Sequence, residues 1–206
     1  MTEMRQSPST LIAEPGRVRR GTLVGGALTA GALTVGALRL GGASAARAAS
    51  PSQDIRILNF ALLLEEIEVG FYAAARDAGN LRGEYAEFAE TVAGQEREHV
   101  AFLRDTLGAK AGKSPRLQFG QTITSEKRFT AAAITLEDIV VAAYNGQATN
   151  LSPSALGAAA RIVSVEARHA AWIRAIAGKP PADKPTDAAA GVPAVMATIK
   201  KLGFLR

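Results

Sequence analysis

Beyond residue 50, the apolar positions of this 206-residue chain recur every three to four residues in four long segments, and nowhere do they alternate one by one. That period belongs to helices with one buried face, so the expected class is all-α. The first segment runs from about Asp54 to Ala78 and stops at Gly79-Asn80; the second runs from about Leu81 to Leu107 and stops at Gly108. So short a turn predicts a helix hairpin. Residues 108–124 show no period and contain Pro115 and three glycines, which predicts a long connection. A third helix is expected over Ser125–Thr149. A fourth starts with Ser152 as N-cap and Pro153 in the first helical position, and ends at Gly178 before two prolines. The chain therefore predicts a four-helix bundle over residues 49–178, made of two hairpins joined by a crossover. Residues 179–206 read as a Pro-rich linker followed by a short amphipathic helix carrying Val195, Met196, Ile199 and Leu202, expected to pack across the bundle end.

Charge alters the picture only at the N-terminus. The net charge of +5 suggests a nucleic-acid partner, but residues 1–48 hold six of the 24 basic and two of the 19 acidic residues, leaving 18 against 17 in the remainder. No basic stripe interleaved with aromatics is present there, so no nucleic-acid partner is expected. In residues 1–48, Arg19-Arg20 precede an uncharged Gly/Ala/Leu/Thr stretch reaching Leu38, and Ala46-Arg47-Ala48 offers a cleavage site. The segment resembles a twin-arginine export signal. Export to the periplasm or cell exterior is the expectation; a disordered arm and an uncleaved membrane anchor are the alternatives. Cysteine is absent from the whole chain, which excludes disulfides and thiolate metal ligands.

The two hairpins repeat each other. "LEEIEVGFY", ending at Tyr72, aligns with "LEDIVVAAY", ending at Tyr144, and "QEREHVAFLRDTLG" aligns with "VEARHAAWIRAIAG". The chain's only histidines, His99 and His169, each follow a glutamate by three residues, Glu96 and Glu166. Residues three, four or seven apart share a helix face. Glu65 thus lies with Leu58, Leu62, Val69 and Tyr72, and Glu137 with Ile134, Val141 and Tyr144. Those faces are otherwise apolar, so the glutamates should point inward. Of the neighbouring acids, Glu66 accompanies the smaller, more polar Asn59, Gly70 and Ala73, and Glu68 aligns with Val140 in the other half. Glu65 is therefore the expected inward group, and Glu68, Glu87, Glu90 and Glu98 are read as solvated helix faces. Trp172 is read as packing.

Four carboxylates in one core oppose their own ionisation through desolvation and mutual repulsion. Two divalent ions bring compensating charge, and carboxylates with two imidazoles and no sulfur suit iron or manganese. A Glu from each of two helices and Glu-x-x-His from each of the other two is the pattern of di-iron carboxylate bundles.

On these motifs the chain resembles the ferritin-like superfamily over about residues 54–178, and in particular exported ferritin-like domain proteins related to plant desiccation-associated proteins. The resemblance implies Glu65 and Glu137 as terminal metal ligands, Glu96 and Glu166 as bridging carboxylates, and His99 and His169 as imidazole ligands. It also implies that Tyr72 and Tyr144 hydrogen-bond a ligand carboxylate across the bundle. The function it implies is an exported two-metal protein, iron ahead of manganese, handling iron, oxygen or peroxide, with ferroxidase- or peroxidase-like turnover as an open question. A structural or stress-protective bundle without turnover is the rival, and iron storage in a cage a third reading. The chain carries no electron-transfer motif, so the electron donor is unknown, and self-association is left open.

Overall fold

The computed structural model describes residues 50–206. The twin-arginine motif and the candidate cleavage site lie outside them. Among the described residues there are five α-helices: α1 Pro51–Asp77, α2 Gly83–Leu107, α3 Glu126–Gln147, α4 Pro153–Ile176 and α5 Val192–Leu202. None is long and apolar enough to cross a membrane.

Local chemistry sets where the helices begin. Ser50, Ser125 and Ser152 cap α1, α3 and α4, each side chain accepting from the backbone N–H three residues on. Pro51 and Pro153 follow two of these caps, in positions that need no backbone donor. The Ser-Pro pair at 50–51 is the same signal that marks α4, and it starts α1 three residues ahead of Asp54. At the other ends, Gly79 and Gly178 take positive φ values of 66° and 67°, which side chains resist and which break the helical path. Thus α4 ends at Ile176 and the turn at 177–178 replaces the last residues of the expected helix. Likewise α2 begins at Gly83 instead of Leu81, and residues 148–150 tighten into a 3-10 turn after α3.

Packing follows the two hairpins. α1 lies along α2 and α3 along α4, while α1 faces α3 and α2 faces α4 across the bundle. The helix starts are tied together, since Asp54 accepts from Ser152 through both backbone N–H (2.9 Å) and hydroxyl (2.6 Å). The duplication extends to the outer faces: Arg104 of α2 pairs with Glu66, and the aligned Arg174 of α4 pairs with the aligned Asp138.

The connection over residues 108–124 contains 3-10 turns at Gly108–Lys110 and Gly120–Ile123 and covers α1. Gly70 allows this close approach, because a Cβ there would sit 2.6 Å from Leu117 Cδ1. The C-terminal residues are stitched to the same connection, Gln118 N–H donating to the Phe204 carbonyl and Arg206 N–H to that of Arg116, both at 3.0 Å. The expected short helix is α5, and it packs against α3 through buried Val195 and Ile199.

Phe71 sits at the junction of these parts. It is fully buried and contacts Tyr72, Phe119, Phe129 and Phe204 with ring centroids 5.1–5.8 Å apart, so it joins α1, α3, the crossover and the C-terminus. Phe71→Ala should destabilise the protein by about 3–5 kcal/mol. Chemical denaturation measures this, and a loss under about 1 kcal/mol would show that the aromatic cluster is not holding these segments together.

Candidate metal centre

Glu65, Glu96, Glu137 and Glu166 are all fully buried, and His169 is 2% exposed, so every one of these polar groups has left bulk water. His99 is part-buried. Such a concentration of charge in a bundle core is tolerable only where each group faces compensating partners.

The partners are mutual. Glu96 turns one oxygen to each histidine, Oε2 to His99 Nδ1 and Oε1 to His169 Nδ1, both at 2.9 Å. Glu166 does likewise, with Oε1 at 2.9 Å from His99 Nδ1 and Oε2 at 3.5 Å from His169 Nδ1. These two carboxylates each lie beside both histidines. Glu65 and Glu137 instead stand at the outside, each beside one histidine: Glu65 Oε2 is 3.1 Å from His99 Nδ1, and Glu137 Oε2 is 3.8 Å from His169 Nδ1. Their other oxygens accept from tyrosines of the opposite hairpin, Tyr144 O–H to Glu65 (2.6 Å) and Tyr72 O–H to Glu137. The eight residues singled out in the sequence therefore converge.

Electrostatics explain the protonation. Burial, reinforced by the charge on Glu166, pushes the Glu65 carboxyl well above the usual carboxylate range. Burial also raises Glu137, although the neighbouring His169 opposes it. For Glu96 burial again works against ionisation, but the close approach of His169 and the hydrogen bond with His99 overcome it and hold its pKa at about 2. Burial disfavours charge on the imidazoles too; the surrounding carboxylates prevail and raise His99 to about 12 and His169 to about 10.

The donor set fits metal ions. One ligand atom from each of Glu65, Glu96, His99 and Glu166 lies within 4.8 Å of the others, and the same holds for Glu137, Glu166 and His169. Glu166 belongs to both groups. Several of these atoms, including Glu137 Oε2, both oxygens of Glu166 and His169 Nδ1, are buried without a hydrogen-bond partner of adequate geometry. Oxygen and imidazole donors without sulfur are what iron and manganese accept.

The family model described as the ferritin-like domain matches residues 53–179. The chain belongs to the ferritin-like family. No curated protein matches it.

Within this ferritin-like bundle one expectation is overturned. Glu87, Glu90 and Glu98 are exposed as expected, but Glu68 is fully buried, and neither of its oxygens has a hydrogen-bond partner. Its alignment with Val140 argued against it, yet Glu65, Glu68 and Tyr72 stand three and four residues apart on one face. α1 is covered by α2, α3 and the crossover, so its buried face is broad enough to take in all three. Glu66, by contrast, faces the crossover, where it accepts from Arg104 and from Ser114 O–H (2.9 Å). Gln95 was also missed: its Oε1 accepts from His169 Nε2–H at 2.6 Å and so turns Nδ1 toward the carboxylates. Its counterpart in the other half is Val165, so nothing in the repeat signalled it. Trp172 does pack, edge-on to Phe88 at 5.1 Å, and also lines an open cleft of about 360 Å³ that reaches His99 and His169 between α2 and α4.

A pH dependence follows for the metal-free protein. A histidine whose pKa is raised by folding lends its full stabilisation below its ordinary value of 6.5; for His169 that stabilisation is lost as pH climbs toward about 10, and for His99 toward about 12. The raised Glu65 and Glu137 act in the same direction above their ordinary pKa of 4.5, whereas Glu96 acts oppositely. Chelator-treated protein should accordingly melt at a lower temperature at pH 9 than at pH 6.5. A melting temperature that stays level or rises across that interval, followed by circular dichroism, would refute the assignment of the histidines as imidazolium partners.

Proposed function

We propose that residues 53–179 house a two-metal carboxylate centre that carries out redox chemistry on a small oxidant, dioxygen or peroxide, outside the cytoplasm. The observation carrying this reading is that Glu96 and Glu166 each offer one oxygen to the neighbourhood of either histidine, an arrangement suited to two ions side by side and wasteful for one. Iron is favoured over manganese. Metals bound there would supply one-electron couples for reduction of the oxidant.

The chain's own residues have distinct tasks. Glu65 and His99 would hold one ion and Glu137 and His169 the other, with Glu96 and Glu166 within reach of both. To serve as a ligand each histidine would give up its Nδ1 proton, because only the neutral ring has a lone pair to donate. Tyr72 and Tyr144 keep their protons, burial holding both phenols above their ordinary pKa, and so they steady the terminal carboxylates as donors. The cleft beside Trp172 gives a small oxidant a way to the histidine side of the centre, while the apolar core excludes bulk water elsewhere. Residues 1–48 serve as a twin-arginine-type signal, a route that passes folded proteins and so exports metal acquired beforehand.

Native protein after gentle reloading should contain about two metal ions per chain. A value near zero by elemental analysis, both as purified and after reloading, would favour the rival reading of a bundle without turnover. Glu65→Ala should weaken binding about tenfold or more, since even loss of a group behind a ligand costs that much. Glu66→Ala should bind normally because Glu66 is engaged with Arg104. The reverse ranking in metal titrations would refute the ligand assignment.

Export is tested separately. Replacing Arg19 and Arg20 by Lys should leave the precursor inside the cell, and a cleaved, exported product from that variant would exclude the twin-arginine route.

A further inference from the structure

The internal repeat places an ion pair on the outer flank of each hairpin, and the two flanks are finished differently. On the first, the crossover caps the Glu66–Arg104 pair. The Ser114 hydroxyl donates to Glu66 Oε1 and accepts from Arg104 Nη2, each at 2.9 Å, and the Gly112 carbonyl accepts from Arg104 Nη1 at 3.4 Å. One hydroxyl thus serves acid and guanidinium together, because it both donates and accepts. On the second flank, Arg174 meets Asp138 through one nitrogen and one oxygen, and no hydroxyl or carbonyl among the described residues completes the pair.

What stands there instead is an open cavity of about 510 Å³ between α3, α4 and the Pro-rich strap of residues 179–188. The strap is held at both ends. Lys179 N–H donates to the Arg174 carbonyl (2.9 Å); at the far end Ala190 N–H donates to the Ala142 carbonyl (2.8 Å) and Asn145 Nδ2 to the Ala188 carbonyl (3.2 Å). Gly146 permits the second attachment, since a Cβ there would collide with the Ala190 carbonyl. Between the anchors, Pro180, Pro181 and Pro185 fix their φ angles and stiffen the span, which opposes its collapse onto the ion pair. The cavity is therefore built into the fold, and it falls in the size range of small-molecule sites.

Its lining indicates the ligand chemistry. Asp138, Asp183 and Asp187 are matched by Arg174, Lys179 and Lys184, so the walls carry no net charge and favour a ligand that has none. Ile134, Val141 and Ala170 on the helix side and the proline rings on the strap side offer apolar surface for C–H groups. The first flank shows what such an ion pair accepts, a hydroxyl that donates to the acid and accepts from the guanidinium. We propose that the cavity beneath residues 179–188 binds a neutral polyhydroxyl compound, a mono- or disaccharide, whose hydroxyls take at Asp138 and Arg174 the place that Ser114 takes at Glu66 and Arg104. None of the proposed metal ligands lines this cavity, so the inference stands apart from the two-metal reading.

Isothermal titration calorimetry of the full chain with glucose and with maltose tests this. Saturable binding of one sugar per chain is expected, with a Kd of about 1 mM or tighter for at least one of the two. Asp138→Asn should weaken it about tenfold or more, because it removes the charge from an acceptor that no second protein group satisfies. Ala171→Phe, which fills the cavity without touching the ion pair, should abolish it. Glu66→Gln, on the flank where Ser114 already occupies the place, should leave it within about twofold. Far-UV circular dichroism establishes which variants are folded, and since the two cavity variants disturb different groups, either one folded decides the matter. Glucuronate and glucosamine, charged relatives of glucose, and the zwitterion leucine should all bind more weakly. Absence of saturable binding of both sugars up to about 10 mM would overturn the proposal. Sugar binding that Asp138→Asn and Ala171→Phe leave unchanged would overturn its placement, and tighter binding of leucine or of either charged sugar would overturn the assignment to a neutral ligand.

Discussion

Burial of acid side chains at the centre of the bundle is the constraint on which this structure depends. Five glutamates at full burial would drive the helices apart if all were ionised and unpaired, since each has lost its hydration and feels the others through a poorly screening interior. The protein answers with two imidazolium groups and two tyrosine hydroxyls placed so that four of the five carboxylates have close polar partners. The same donor set fits metal ions, whose positive charge would take the place of the imidazolium protons.

Duplication makes this arrangement attainable with few residue types. Each hairpin alone presents one outer glutamate, one Glu-x-x-His and one tyrosine, but its tyrosine bonds the glutamate of the opposite hairpin. Neither half can satisfy its own acid, so the reciprocal bonds fix how the hairpins meet. Outside the core, the paired Glu66–Arg104 and Asp138–Arg174 bridges fasten each hairpin to itself by the same rule. The symmetry is then broken at Glu68, buried where the other half has Val140, and at Gln95, which bonds His169 where the other half has Val165. The crossover and the C-terminal segment are unique sequence, and they meet over Phe71 and so close one flank of the repeat.

The amino-acid sequence by itself determined the helices, the hairpin pairing, the repeat and the eight residues that converge at the centre. These were legible because helix periodicity is local and because a motif present twice at matching spacing identifies its own inward face. Helix ends were less so: the Ser50-Pro51 start passed unnoticed beside a segment whose period begins later. Only the tertiary structure decided the environment of Glu68, the bond from His169 to Gln95, the attachment of Phe204 and Arg206 to the crossover, and the cleft between α2 and α4. The physical reason is common to all four. Burial and hydrogen-bond partnership are properties of what another element places opposite a residue, and where the internal repeat has no counterpart, as with Val140 and Val165, one strand of sequence contains no second copy from which that neighbour can be inferred.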